Sequence, residues 1–165
     1  MKILTTDERI NNILKEITNH EIIYNNYEGL SYVEKALELA IKLNRKEVDF
    51  VITGCSSGQG MMLALNALPG VICGFAPTPI DAYLFGRINN GNAISVTLGE
   101  EYGYKGIDNL RETLKQLFNG EFGTGWPEEH AERKRVDAQK VKELKEISSK
   151  KFEEILPELK KLLGI

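Results

Sequence analysis

Residues 48–62, VDFVITGCSSGQGMM, join an apolar run to a Gly/Ser-rich turn and the start of a helical pattern. The run from Val48 to Gly54 is β-branched and apolar without alternation, which is typical of a strand covered on both faces. Such a strand belongs inside a parallel sheet that has helices on both sides. The turn follows at its carboxyl end, where open parallel sheets bind ligands. The stretch therefore predicts a fold class and the position of a site.

The chain up to residue 99 repeats this alternation of short apolar runs and helical segments. The predicted strands are KILTT (2–6), EIIYN (21–25), VDFVITG (48–54), VICGFA (71–76) and AISVTLG (93–99). Between them, apolar residues recur every three or four positions, the period of a helix with one buried face. This order predicts an α/β protein, a three-layer α/β/α Rossmann-like sandwich with a five-stranded parallel sheet.

Beyond residue 99 the pattern is helical and charged. Helices are predicted at 106–118, 133–147 and 150–164, and Pro157 marks a break or kink in the last of these. We divide the chain into a Rossmann-like domain at 1–125 and a helical C-terminal extension at 126–165. The periodicity fits both a solvated helix and an arm that packs on a second subunit.

The composition excludes several classes of function. The chain has 165 residues, 42% of them apolar, a net charge of -3 and a pI near 5.5. This acidic balance argues against a nucleic-acid partner. Apolar runs fall short of the roughly 20 residues that span a bilayer, and charged positions come too early for a signal peptide. We therefore expect a cytoplasmic protein with no membrane partner, whose Cys55 and Cys73 are free thiols. With only His20 and His130, we expect no metal site.

The Gly/Ser turn resembles known loops only in part. Leu63 stands where the dinucleotide fingerprint has its third glycine, and no Lys-Ser/Thr pair follows as in a P-loop. Ser56 has glycines two residues before and after it, as in a nucleophile elbow. A serine hydrolase would need His130 from the polar tail as its base, so we do not favour that reading.

Cys55 is a different kind of candidate, because it lies where a strand ends and a helix begins. The helix dipole and nearby N–H groups favour a thiolate there, so Cys55 could take a proton from carbon. The alternative is a small apolar residue that fills the strand end. The N–H groups around Gly58 and Gly60 predict a binding place for an anion. Cys73, in the middle of a strand, is predicted to be a packing residue.

The second unusual stretch is RINNGNAISV at 87–96. Asn and Gly accept positive φ angles, so Asn89, Asn90 and Asn92 predict a tight helix-to-strand turn. Their carboxamides also offer donors and acceptors to a polyhydroxylated ligand. Such a turn lies on the opposite edge of the sheet from the strand-end site. Its asparagine side chains would contact that site only with an unusually long reach or from a neighbouring subunit.

Together, VDFVITGCSSGQGMM, PGVICGF (69–75) and INNGNAISV (88–96) resemble the ribose-5-phosphate isomerase B family, which includes the galactose-6-phosphate isomerase subunits. The resemblance covers about residues 45–120. It implies isomerisation of a pentose or hexose phosphate through an enediolate, by proton transfer between C1 and C2 without metal or cofactor. It also implies a homodimer, possibly a tetramer, with a shared active site. The helical tail is then an intersubunit arm.

The resemblance assigns roles to single residues. Cys55 matches the catalytic base, and Ser57 stands where the family has a hydroxyl that handles the enediolate oxygens. In the family, arginines of the tail bind phosphate in the partner's site, and Arg133 and Arg135 match them loosely. The substrate-binding residues implied are Asp7, Glu8, Ser56, Gly58, Gln59, Gly60, Asn89, Asn92, Arg133 and Arg135.

The chain also departs from the family. Thr6-Asp7-Glu8 replaces an Asp-His pair after the first strand, and Ile88 replaces the histidine that opens the sugar ring. We therefore expect open-chain or readily opening substrates to be favoured. The alternatives are a non-catalytic sugar-phosphate-binding protein or one subunit of a heteromeric isomerase. A redox or hydrolytic enzyme with Cys55 as nucleophile is a further reading.

Overall fold

The computed structural model describes residues 1–124, 127–149 and 151–165, except the side chains of 158, 159 and 162. A five-stranded sheet lies at its centre in the order β2-β1-β3-β5-β4, and every neighbouring pair is parallel. The strands are β1 (Lys2–Thr5), β2 (Glu21–Tyr24), β3 (Phe50–Cys55), β4 (Cys73–Phe75) and β5 (Ala93–Thr97). The predicted Rossmann-like α/β class is confirmed.

Helices follow the strands and cover both faces of the sheet. They are α1 (Glu8–Ile17), α2 (Tyr32–Asn44), α3 (Gln59–Asn66), α4 (Pro79–Leu84), α5 (Gly106–Leu117), α6 (Ala131–Ile147) and α7 (Phe152–Leu163). Local sequence sets several of their ends. Ser31 and Glu34 form a capping box at the start of α2, and a π-helical turn, Phe85–Asn89, ends α4.

Alternate residues of β3 enter two separate cores. Val51 packs with α2, α3 and α7 on one face, whereas Ile52 packs with α1, α4 and α5 on the other. Both side chains are fully buried. This explains why the strand has no polar alternation, since neither of its faces meets water.

The strand order reverses between β1 and β3. From β1 the chain moves outward to β2, and it returns to β3 on the other side. The crevice beyond the carboxyl ends of such a strand pair is where open α/β sheets bind ligands. The hydroxyls of Thr6 and Thr53 lie 2.6 Å apart at this point. Cys55, the last residue of β3, lies at the same edge.

The boundaries differ from the predicted ones at a few places. The predicted strand at 71–76 is limited to Cys73–Phe75, the bounds of β4. Of the predicted break or kink at Pro157, the break is wrong, because α7 continues through this residue, and the kink stays a prediction. Phe152 and Leu156 are buried in the core, and this packing offsets the backbone hydrogen bond that proline removes.

The C-terminal helices pack on the chain's own core. Ala138 of α6 is buried, and Lys145 Nζ donates to the carbonyl of Asn66 at 2.6 Å. Helix α6 also exposes four apolar side chains, Val136, Val141, Leu144 and Ile147. The predicted boundary between 125 and 126 lies outside the described residues, and packing on a partner stays a prediction. Within the described ranges, no helix combines the length and apolar character that crossing a membrane requires.

Candidate active site

The turn after β3 is fixed by hydrogen bonds around Cys55. The Cys55 carbonyl accepts from the amides of Gly58 at 3.2 Å and Leu98 at 3.1 Å, and the Gly99 amide donates to Ser56 at 2.9 Å. The Cys55 side chain is half-buried and touches the core on the α2 and α3 face. The backbone of Cys55 is thus held in place at the carboxyl edge, and the residue stays partly exposed.

Gly58 allows the turn to lie close against β5. Its φ of 78° is in the left-handed region, and its carbonyl accepts from the buried Ser95 hydroxyl at 2.6 Å. A Cβ built at this position would lie 2.6 Å from the Phe75 ring and 2.8 Å from the Val96 backbone. Thr97 Oγ1 also donates to the Ser57 carbonyl at 2.9 Å. Only glycine fits this position without displacing the strand.

Helix α3 begins directly after this turn and points its first amides at the edge. The first amides of a helix have no acceptor within the helix, so they attract anions together with the dipole. The Gln59 amide donates to Ser57 Oγ at 3.3 Å, and Gly60 faces the ring of Tyr32. Ser56 and Gln59 are exposed. The structure therefore brings together the predicted residues of the 55–60 segment.

Asp7 and Glu8 follow β1 at the same edge. Asp7 caps α1, since its Oδ1 accepts from the amides of Arg9 at 2.9 Å and Ile10 at 3.4 Å. Both carboxylate oxygens also bind the Arg9 guanidinium. Glu8 is exposed. The Asp7 carboxylate is therefore occupied within the first turn of α1.

Arg9 is not among the residues predicted from the sequence. Its Nε and Nη2 donate to Asp7 at 3.1 and 2.8 Å, and its Nη1 donates to the Leu98 carbonyl at 3.2 Å. The guanidinium carbon lies 5.1 Å from the centre of the Tyr104 ring. The hydrogen bonds that Arg9 donates to Asp7 are the main cause that raises the Arg9 pKa above its ordinary value. The position of Arg9, two residues after the helix-capping Asp7, is the sequence feature that could have indicated this arrangement.

The asparagine turn lies at the amino edge of the sheet, opposite Cys55, as predicted. Asn92 accepts from the Ile72 amide and donates to the Gly70 carbonyl, both at 2.8 Å. Its carboxamide therefore holds the entry to β4 and β5. Asn89 is exposed and lines a groove of about 440 Å³ together with Ile88 and Lys134.

The predicted tail arginines lie on α6, which packs against the π-helical turn before β5. Arg133 is largely exposed and pairs with Asp137 at 3.5 Å. Arg135 donates to the carbonyl of Gly123. The structure places both on the element beside Asn89 and not in the turn that carries Cys55. A site that combines them with Cys55 would need a second chain.

The donor set of the carboxyl edge suits oxyanions and sugar hydroxyls. It contains backbone amides, hydroxyls, one thiol and one guanidinium, which are mainly hydrogen-bond donors. In the part of the chain that the structure describes, no three His, Cys, Asp or Glu side chains come together as a metal-binding group.

The two thiols differ in their surroundings, and this predicts different reactivity. Burial raises the pKa of Cys73 to about 12, whereas Cys55 is half-buried. Because the thiolate is the reactive form, iodoacetamide at pH 8 should modify Cys55 and spare Cys73 in the folded protein. Mass spectrometry of the peptides would measure this, with urea-unfolded protein as the control in which both react. Equal labelling of the folded protein would contradict the assignment.

Comparison with known proteins identifies the family. The family model for Ribose/Galactose Isomerase matches residues 3–138. A crystal structure of 4-deoxy-L-threo-5-hexosulose-uronate ketol-isomerase complexed with a tartrate is 37% identical, with a TM-score of 0.86 over 96% of this chain and 82% of that one. A ribose-5-phosphate isomerase from Vibrio parahaemolyticus is 33% identical, with a TM-score of 0.84 over 93% of this chain and 80% of that one.

More distant structures agree with these. The type B ribose 5-phosphate isomerase of Trypanosoma cruzi is 25% identical, with a TM-score of 0.71 over 90% of this chain and 97% of that one. No curated protein matched the sequence significantly. The family resemblance stated from the sequence motifs is therefore confirmed. The chain belongs to the ribose/galactose isomerase family, and it is an aldose–ketose isomerase.

Proposed function

We propose that the protein interconverts an aldose and its ketose through a cis-enediolate, with Cys55 as the base. The observation that supports this most directly is the half-buried Cys55 thiol at the carboxyl end of β3, beside the amides that open α3. The Cys55 thiolate removes the proton from C2, and the resulting thiol returns it to C1. The hydroxyl proton moves from O2 to O1, so the atoms balance without a redox partner.

The turn supplies the electrostatic part of the mechanism. Negative charge builds up on O1 and O2 as the C2 proton leaves. The amide of Gly60 and the hydroxyl of Ser57 are the donors that we assign to this charge. Removal of one such preorganised donor costs about 3–4 kcal/mol in other enzymes. The role of Gly58 is to hold these donors against β5.

The substrate we favour is an open-chain hexuronate. The compound named for the 37% identical relative has a C1 aldehyde, a C5 ketone, a carboxylate and no C4 hydroxyl. It lacks the C4 and C5 hydroxyls that close furanose and pyranose rings onto C1. An enzyme for such a substrate does not need a ring-opening histidine, and this chain has Ile88 at that position.

A pentose or hexose phosphate is the second candidate substrate. It is favoured by the 33% identity to a ribose-5-phosphate isomerase and by the family itself. In this case the anion at the far end of the sugar is a phosphate. Arg133 and Arg135 would then be its ligands.

We further propose that a second copy of the chain completes the site, in a homodimer or a tetramer. Asn89 and the start of α6 lie apart from the Cys55 turn in one chain, and α6 exposes an apolar stripe that includes Val136 and Leu144. A partner could bring Asn89 and Arg133 to Cys55. The alternative is a heteromeric isomerase in which a related subunit does so.

Proton exchange tests the function and the substrate together. The purified protein would be incubated in D₂O with the hexosulose-uronate, ribose 5-phosphate or galactose 6-phosphate, and deuterium at C1 and C2 measured by NMR. We expect exchange with the uronate, at a kcat/KM exceeding that for either phosphate by about tenfold or more. Binding without exchange for every sugar would contradict the proposal and favour the non-catalytic alternative.

A further inference from the structure

The proposed substrate carries an anion far from its reacting carbons, and that anion needs a ligand at the carboxyl edge. The predicted arginines of the tail lie on α6, beside the opposite edge of the sheet. Arg9, in the first turn of α1, lies at the same edge as Cys55 and is fixed to the backbone there by its bond to Leu98. Arg9 is therefore the cation placed to meet the substrate within one chain.

The hydrogen bonds of Arg9 leave part of its guanidinium available. Nε, Nη1 and Nη2 each donate once to the described residues, to Asp7 or to Leu98. A guanidinium has five N–H donors, of which these bonds use three, and Tyr104 also forms a side-chain hydrogen bond with Arg9. The Arg9 side chain is 40% exposed. The exposed part of the guanidinium can therefore meet a ligand from the solvent.

The neighbours of Arg9 hold the guanidinium in one orientation. Arg9 donates two hydrogen bonds to the Asp7 carboxylate, and the ring of Tyr104 lies against the guanidinium. A fixed, planar guanidinium matches a carboxylate with two parallel N–H bonds, which a lysine cannot reproduce. Asp7 is a positioning residue in this arrangement, because its own oxygens are occupied.

Leu98 connects Arg9 to the proposed base. The Leu98 amide donates to the Cys55 carbonyl at 3.1 Å, and the Leu98 carbonyl accepts from Arg9 at 3.2 Å. Leu98 therefore holds the Arg9 guanidinium through its carbonyl and the Cys55 turn through its amide. This arrangement fits a substrate that reacts at one end and carries its charge at the other.

The geometry points to Arg9 as the residue that holds the carboxylate of an open-chain hexuronate whose C1 and C2 lie at Cys55. This inference rests on the proposed function and names a ligand for its anionic end. The charge balance favours a carboxylate, because Asp7 offsets part of the Arg9 charge and the exposed Glu8 lies next to Arg9 in sequence. A phosphate dianion would meet more repulsion there than a carboxylate monoanion.

Binding measurements on a chemically silent protein test this assignment. In a Cys55→Ala background, calorimetry would compare tartrate binding with and without Arg9→Met. We expect Arg9→Met to weaken tartrate binding about 10- to 100-fold, since a charge-assisted contact is lost. Arg9→Lys should recover only part of it. With Cys55 intact, Arg9→Met should raise KM for the hexosulose-uronate more than it lowers kcat.

Arg111 provides a matched control. It also pairs with a carboxylate of α1, that of Glu16, but at the other end of the helix. Arg111→Met should leave tartrate binding unchanged. The assignment is overturned if Arg9→Met binds tartrate as tightly as Arg111→Met does. It is also overturned if Arg9→Met weakens the binding of ribose 5-phosphate as much as the binding of tartrate. If tartrate binds through Arg9 while the wild type exchanges no sugar proton, the proposed mechanism fails and the Arg9 contact stands.

Discussion

Replacement of Cys55 by alanine should lower kcat for isomerisation by about 10²- to 10⁴-fold, the usual contribution of a general base. The reason is that alanine cannot take the C2 proton, and the Asp7 carboxylate at this edge is already engaged with α1 and Arg9. Steady-state assays with the best substrate of the panel would measure kcat, and exchange in D₂O would follow the C2 proton directly.

The other thiol supplies the control for this substitution. Cys73→Ala removes a buried sulfur, but the Cys73 amide and carbonyl keep their bonds to the Asn66 carboxamide at 2.9 and 2.8 Å. Its kcat should stay near that of the wild type. Cys55→Ala should unfold at the wild-type temperature, because its side chain is only partly buried. Full activity of a folded Cys55→Ala protein would show that another residue is the base.

Local patterns predicted the strands and the position of the turn because their causes are local. An apolar run such as 48–54 becomes a covered strand, since both of its faces are buried. The strand order has no such local cause. Periodicity does not reveal that β5 enters between β3 and β4, because that depends on which edges meet in the folded chain.

The parts of the site that were missed depend on contacts between distant residues. The role of Arg9 becomes visible only through its bond to Leu98, 89 positions along the chain. The Asn92 carboxamide is likewise used by Gly70 and Ile72, which lie about 20 residues away. Pro157 shows the same limit, since the burial of Phe152 overrides a reliable local signal. The residue types indicated which chemical groups the site contains. Contacts between distant residues determine which of these groups are available to a ligand.

The second large effect is expected at Gly58, where an added Cβ atom would disturb both the fold and the turn that carries the catalytic donors. A left-handed conformation costs an alanine about 1–2 kcal/mol, and forcing a methyl group into a packed site costs about 1–3 kcal/mol more. Gly58→Ala meets both, because its Cβ would lie 2.6 Å from the Phe75 ring and 2.8 Å from the Val96 carbonyl. We expect a loss of roughly 2–5 kcal/mol in the free energy of unfolding, measured by urea denaturation.

Gly29→Ala separates strain from crowding. Gly29 has nearly the same φ, 79°, but a Cβ there would meet nothing within 4 Å, so only the conformational cost of about 1–2 kcal/mol applies. The difference between the two variants is then the cost of pushing the turn away from β5. That displacement also moves the Ser57 and Gly60 donors, and a shift of about 1 Å can lower a rate 10²-fold. Folded Gly58→Ala should therefore lose activity while Gly29→Ala keeps it. Equal stability and activity of the two would show that the turn does not depend on its contact with β5.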